Sequence, residues 1–455
     1  MFCDETISGT LSAHLAAIDT ASLPAATLHA TRRALLDALG VMLAASGLAE
    51  DARPYRRHAE QGAGPARLLG GSGRTSPSLA ALANGALAHA LDFGDTFDAG
   101  PAHPNAALVP ALLALADADR GIDGGRFLAA MAGASDLACR LAVAAPCPYE
   151  ARGWYPPPLV NLIATAAGCA KLLGLGADGI RHAMGLALMQ GAFPGEIKYD
   201  STSPLRGVRE GFVARAAVEA ALLAAGGARA FADPLGGKAG FFAVYAGGAP
   251  TAALTDGLGE RFLGDLVSFK PWPACRGTHA YIEAALALRP SLDLARITRI
   301  EAETGPIQEM LIRPQPAKAQ PASAIDARFS IPFTVATAVR DGAVTLDSFT
   351  ADRLADPGLH RIGASVIERR NPEWGRAEAA SGSLTILLDD GSRLFHRVMQ
   401  AAGHPDWPLS DSALVAKFIG CAGHAAAPVM PAQATAIAAQ ILDAPLLRAA
   451  AAWLD

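Results

Sequence analysis

Several large classes of protein are excluded by what this sequence lacks. It has no block of Lys or Arg and carries a formal charge of −5, the wrong sign for gripping a phosphate backbone, so no nucleic-acid partner is expected. No apolar stretch reaches the ~18–20 residues a membrane-spanning helix needs; Pro158–Ala170 is among the longest. The start, MFCDETISGTLSAHL, shows no basic segment ahead of an apolar one, so it does not read as an export signal. The six cysteines (Cys3, Cys139, Cys147, Cys169, Cys275 and Cys421) lie far apart, with no CxxC pair and no Cys–His zinc spacing. They read as reduced, mostly buried thiols, which together with the missing signal gives a soluble, cytoplasmic expectation. No metal site and no cofactor are expected.

What is present is material for a large helical core. Half of the residues are hydrophobic (51%) and 18% are charged, far from a disordered composition. At 455 residues the chain exceeds one ordinary core, so more than one domain is expected. Alanine and glycine are abundant and aromatics few, which favours helices that approach closely. Leu28, Leu35, Leu36, Leu39 and Leu43 recur on one face of a helix whose start is read at Ser22 (cap) and Pro24. Further helices are predicted over Ser78–Leu91, Ala106–Asp119, Gly125–Ala144, Leu159–Leu173, Ile180–Leu188 and Gly211–Ala225.

The texture changes near residue 267. RITRIEAET (Arg296–Thr304) alternates as a half-buried strand does, and Ser383–Leu388, Asp389-Asp390-Gly391 and Ser392–Met399 read as an antiparallel hairpin. Helices are predicted at Thr278–Leu288 and Pro332–Arg340, and again from Asp411 onward through SALVAKFIGCA, ATAIAAQILDA and LLRAAAAWL.

Three segments carry chemistry. In Asn84–Pro104, NGALAHALDFGDTFDAGPAHP, a small-residue helix runs into Asp92, Asp95, Asp98, Thr96 and His103. Acids at a helix C-terminus oppose the macrodipole, so another interaction must hold them there. Asp92 and Thr96 share a face if the helix continues, and histidine is suited to proton transfer near neutral pH. In Lys270–Glu283, KPWPACRGTHAYIE, Lys270, Cys275, Arg276 and His279 crowd the start of a helix, a candidate anion site. A Cys275–His279 nucleophile–base pair lacks any thiolate-activating motif nearby. In Glu196–Gly211, EIKYDSTSPLRGVREG, the cations Lys198, Arg206 and Arg209 suit carboxylates.

NGALAHALDFGDTFDAGPAHP resembles the hallmark of the MmgE/PrpD family, and KPWPACRGTHAYIEAA resembles the family's K-x-[YF]-P-x-C-…-H segment. FSIPFTVATAVRDGAVTLDSFT (Phe329–Thr350) and PLSDSALVAKF (Pro408–Phe418) follow in the family's order. The resemblance spans essentially the whole chain. It implies a mainly α protein with an α+β domain: a large all-helical domain from both chain ends (residues 1–267 and 405–455) and a smaller inserted α+β lid domain (268–404). The active site would lie between them, in a homodimer.

The family includes 2-methylcitrate dehydratase, cis-aconitate decarboxylase and iminodisuccinate epimerase. All three need a carbanion beside a carboxylate to be stabilised and protons to be moved on the correct faces. The implied activity is a cofactor-independent lyase acting on a small di- or tricarboxylate, with dehydration of a 2-methylcitrate-like acid placed first. Epimerisation of an aminodicarboxylate and decarboxylation of cis-aconitate are the alternatives, and a non-catalytic carboxylate binder is a further one. Position by position, Asp92, Thr96, His103 and His279 match the active-site pattern, and Lys270 matches its motif. The implied roles are acid/base for His103 and His279, orientation of a histidine for Asp92, substrate binding for Thr96, and carboxylate binding for Arg206, Lys270 and Arg276.

Three positions depart from the pattern. Tyr155 in GWYPPP stands where a histidine is usual, Arg206 where a lysine is frequent, and Phe333 in SIPF where the decarboxylase has a tyrosine. Losing a histidine and a phenolic hydroxyl weakens decarboxylation, which must protonate the carbanion. For Tyr155 to move a proton near neutral pH, a phenol needs a cationic neighbour such as Arg206.

Overall fold

The computed structural model describes residues 6–200, 203–375 and 377–442. They divide into two compact units. The first consists of the chain up to Ala90, Gly94–Val267 and the stretch from Ser410; the second holds Leu91–Phe93 and Ser268–Leu409. Cys3 and the LLRAAAAWL helix of the sequence reading lie outside the described residues.

The first unit is built from helices α1 (Ile7–Ala17), α2 (Ala25–Leu48), α3 (Arg53–Ala59), α4 (Pro77–Ala90), α5 (Pro104–Ala118), α6 (Gly124–Val143), α7 (Pro156–Leu172), α8 (Ala177–Leu188), α9 (Leu205–Val208) and α10 (Glu210–Ala225). Helices Asp411–Gly423 and Pro431–Leu442 pack on α2. The expectation of an all-helical domain is corrected by a short antiparallel ladder, β1 (Ala66–Arg67) with β2 (Arg74–Thr75). Small residues set the spacing of the bundle: a Cβ on Gly211 of α10 would meet the Leu82 carbonyl of α4 at 2.5 Å, so only glycine permits this approach. Ser22 does not cap α2. Its hydroxyl and amide bond Asp19 in a preceding turn, and Pro24 takes the cap position.

The second unit holds a four-stranded sheet of order β4-β3-β5-β6, with β3 at Ile297–Thr304, β4 at Val366–Arg370, β5 at Gly382–Leu388 and β6 at Arg393–Val398. β5 and β6 form the expected hairpin, with Gly391 at φ 81° in its turn. β4 escaped the sequence reading and pairs parallel to β3, so the sheet is mixed rather than antiparallel. Its residues, VIERR, carry a burial pattern with a single enclosed side chain, which is why no alternation announced it. Helix α11 (His279–Leu288) packs on β5 and β6, and helix Ile331–Asp341 packs on α11. The core gathers Tyr281, Ile282, Ile300, Phe333, Leu384 and Ile386. Ser330 starts the Ile331 helix by accepting the Phe333 amide at 3.0 Å, a capping interaction.

Candidate active site

The sequence-predicted residues fall into two sets, one in each unit. In the second unit, Asp92 is the one non-glycine at positive φ (46°) among the described residues. It lies two residues past the end of α4, where a left-handed residue terminates a helix; aspartate tolerates that conformation better than most side chains. α4 therefore does not continue, and Asp92 does not share a helix face with Thr96. Residue 92 belongs to the second unit and residue 96 to the first.

The carboxylate of Asp92 meets the Lys270 ammonium at 2.8 Å, and Lys270 also donates to the Asp92 carbonyl at 3.0 Å. Both side chains are buried, at 2% and 1% exposure. This pairing is the interaction that holds an acid beyond the end of α4 against the macrodipole. It also means that the Lys270 charge is already balanced by an internal carboxylate.

His279 is the first residue of α11 and is fully enclosed. A carbonyl only accepts, so the 3.1 Å contact to the Ala274 carbonyl puts the proton on Nε2 and leaves the lone pair on Nδ1. Nδ1 is buried with no hydrogen-bond partner among the described residues. Burial first, then the nearby Arg276 and Lys270 charges, hold this imidazole well below its ordinary value, so the ring is neutral. Arg276 donates to the Ala402 carbonyl at 2.8 Å and the Ala401 carbonyl at 3.0 Å. Two of its terminal nitrogens thus hold backbone rather than standing open toward a carboxylate. Cys275 is half-buried and donates its amide to the Arg328 carbonyl.

In the first unit, a bridge between Phe97 and Ala102 folds the Gly100-Pro101 loop back on itself. This return brings His103, at the N-cap of α5, to the Asp95 carbonyl, which Nδ1 meets at 2.8 Å. Nδ1 therefore carries the proton, and Nε2 has the lone pair of the neutral ring. The Asp95 carboxylate accepts from the side chain of Asn105 at 2.8 Å and its amide at 3.3 Å. A negative charge at the start of α5 is favourably placed. Thr96 is buried beside them in sequence, at 7% exposure.

Tyr155 precedes α7 and is 6% exposed, held by its amide on the Phe193 carbonyl at 2.9 Å. Cationic neighbours are present: the Arg209 guanidinium carbon lies 5.0 Å from the ring centroid, and Lys198 Nζ lies at 5.5 Å. Both distances are in cation–π range. Arg206 is half-buried and its carbonyl accepts from Arg209. Tyr155 and Arg209 line a cavity of about 540 Å³ with Phe193, Ile197, Phe212 and Ala216.

The sequence reading missed His89, which is 3% exposed with its ring centroid 4.5 Å from that of His103. It lies inside the same hallmark segment, and the aspartates and His103 drew the eye away from it. Also missed were Glu210 and Asn161. Asn161 donates to the His103 carbonyl at 2.9 Å and to Glu210 at 3.2 Å, and Glu210 sits 3.1 Å from Arg209. Burial raises the Glu210 pKa, opposed by Arg209 and Asn161. No local pattern signals such a network, because its members come from separate helices.

Among the described residues, no three His, Cys, Asp or Glu side chains converge as a metal-binding group, and no helix is long and apolar enough to cross a membrane. Of the described cysteines, Cys139, Cys169 and Cys421 are buried, and burial raises each thiol's pKa, that of Cys421 to about 12. Cys147 is exposed.

Comparison with known proteins agrees with the resemblance seen in the motifs. The chain is 29% identical over 360 residues to a cis-aconitate decarboxylase from Homo sapiens, covering 76% of this chain and 72% of that protein. It is 24% identical over 388 residues to the cis-aconitate decarboxylase of Aspergillus terreus, covering 79% and 77% respectively. The MmgE/PrpD N-terminal domain matches residues 9–253 and the MmgE/PrpD C-terminal domain residues 272–444, so this chain belongs to the MmgE/PrpD family.

Proposed function

We propose that this protein is a cofactor-independent lyase that removes a proton beside a carboxylate of a small tricarboxylic acid, with dehydration of a citrate-like 2-hydroxy acid as its reaction. The observation that carries the reading is the fixed tautomer of His103. Its Nδ1–H is tied to the Asp95 carbonyl at 2.8 Å, so the neutral ring offers Nε2 as a base. His103 takes the proton from the carbon next to the carboxylate, and the electron pair forms the double bond as the C–O bond breaks. The departing hydroxide takes a proton and leaves as water. Tyr155 is the assigned donor, because its ring is buried against two cations. His279 is neutral with an enclosed lone pair, which suits it to accept a hydrogen bond or a proton rather than to serve as a standing acid. Thr96 is assigned to substrate binding, and the Lys270–Asp92 pair to organising its surroundings. The active species in this reading is a homodimer; a monomer that turns over substrate excludes that part.

Decarboxylation of cis-aconitate is the second reading, favoured by the names of the relatives above. Against it stands Phe333, which is fully buried in the core of the second unit with its ring 6.0 Å from that of Phe349. Where the decarboxylase has a phenol, this position has no proton to give. Citrate, 2-methylcitrate, cis-aconitate and iminodisuccinate incubated in deuterated water and followed by NMR separate the readings. Alkene formation from a hydroxy acid supports dehydration, loss of a carboxylate carbon supports decarboxylation, and exchange without elimination supports epimerisation. No change in any of the four overturns the lyase assignment.

A further inference from the structure

Glu210 is a fully enclosed carboxylate to which the lyase chemistry assigns no step, yet its contacts lead to both residues assigned to move protons. It opens α10 at 0% exposure, and Oε1 lies 3.1 Å from Nε of Arg209, itself 2% exposed. Arg209 in turn lies against the Tyr155 ring, its guanidinium carbon 5.0 Å from the centroid. Oε2 accepts from Asn161 at 3.2 Å, and the same amide nitrogen donates to the His103 carbonyl at 2.9 Å. His103, Asn161, Glu210, Arg209 and Tyr155 thus form one continuous chain of contacts within the first unit.

The direction of these contacts is fixed. Two acceptors, the His103 carbonyl and the Glu210 carboxylate, face the amide nitrogen of Asn161, so both of its hydrogens are used and the amide cannot turn over. The ring of His103 is held by the Asp95 carbonyl and its main chain by Asn161 and the Ala106 amide. Helix α7 carries Tyr155 at its N-cap and Asn161 six residues later, about 9 Å along the axis at ~1.5 Å per residue. One helix therefore spaces the assigned donor from the grip on the assigned base. An enclosed ion pair such as Arg209–Glu210 stabilises a fold little compared with apolar side chains of the same volume, because both charges lose their hydration. What a satisfied buried polar network contributes is placement.

We propose that Glu210 is a positioning residue for proton transfer: through Asn161 it fixes the main chain of His103, and through Arg209 it fixes the cation beside Tyr155. The proposal rests on the lyase reading, in which those two residues are base and acid. Glu210 itself touches neither substrate nor the reacting atoms. It holds the two proton-transfer groups in register, so that one can take a proton while the other gives one.

The test compares Glu210→Gln, Asn161→Ala and the double variant in the full chain. Glutamine offers one acceptor and one donor, so it cannot serve both Asn161 and Arg209; Asn161→Ala cuts only the branch to His103 and leaves the Arg209–Glu210 pair intact. With 2-methylcitrate as substrate, kcat per folded molecule should fall about tenfold or more in each single variant while KM stays within about threefold. The double variant should fall no further than Glu210→Gln, because the same chain of contacts is cut twice. Isotope-labelled histidine read by nitrogen NMR reports on His103 without substrate, its signal identified by its loss in His103→Gln. One tautomer, with the proton on Nδ1, is expected in the wild type, and a mixture in both single variants. Losses that multiply in the double variant overturn the proposal, as does a kcat within about threefold of wild type in either single variant, since a merely structural group would lower Tm and spare turnover of the folded chain. An unchanged His103 signal in both single variants overturns it too. A wild-type chain that turns over no acid sinks the lyase reading, and the His103 signals alone then decide whether Glu210 positions that ring.

Discussion

Replacing Asp92 by asparagine tests the buried ion pair while leaving the backbone nearly undisturbed. Asparagine adopts positive φ readily, so the 46° conformation is retained and the change is one of charge. Lys270, at 1% exposure, then loses the carboxylate it meets at 2.8 Å. Breaking a buried pair by removing one partner costs about 3–5 kcal/mol. Lys270 retains the Asp92 carbonyl at 3.0 Å and gains the amide oxygen, so the lower end, about 3 kcal/mol, is expected for Asp92→Asn. That corresponds to a fall in Tm of roughly 6–12 °C for a domain-sized unit. Asp92→Ala should cost about 1–2 kcal/mol more, because alanine is strained at positive φ. The double variant Asp92→Asn, Lys270→Met removes both charges and should recover most of the loss. Calorimetric unfolding of the set provides the assay. A loss under 1 kcal/mol for Asp92→Asn would refute the argument, since it would mean that the pair is hydrated in solution. Failure of the double variant to recover would show that the loss came from geometry instead.

Tyr155→Phe keeps the ring against Arg209 and Lys198 but removes the hydroxyl. If the hydroxyl protonates the leaving group, turnover should fall on the order of 10²–10⁴-fold while ligand affinity stays within a few-fold; turnover within threefold of wild type rejects the role. His279 stays neutral in the folded chain to a pH well below the ordinary 6.5, whereas the unfolded chain protonates there. Its contribution to stability is therefore complete above 6.5 and lost as pH falls from there toward the depressed value. His279→Asn, which can still donate to the Ala274 carbonyl, should remove that dependence. The stability gap between wild type and variant should shrink by up to about 1.4 kcal/mol per pH unit between pH 6.5 and 5, and a gap constant over that range contradicts the buried, neutral assignment.

Periodicity and composition were enough to locate the long helices, the β3 strand and the β5–β6 hairpin. In β3 the enclosed residues alternate, whereas α7 is enclosed at every position and was legible from its length and small residues instead. The family could be read too, because NGALAHALDFGDTFDAGPAHP and KPWPACRGTHAYIEAA keep their order and residue types. β4 was not legible. One buried residue in five carries no period, and its place beside β3 is decided by a partner more than sixty residues away. The same limit governs the site. Sequence could nominate Asp92, Lys270 and Arg209 by residue type, since only certain side chains hold charge or move protons. Whether a charge stands open or is already neutralised depends on what is folded against it. Lys270 was read as a carboxylate ligand and is paired with Asp92, and the cation–π contact of Arg209 with Tyr155 was not foreseen. Chain order determines which groups exist; burial and partners brought from distant positions determine their charge, their tautomer and their remaining hydrogen bonds, and these arise only on folding.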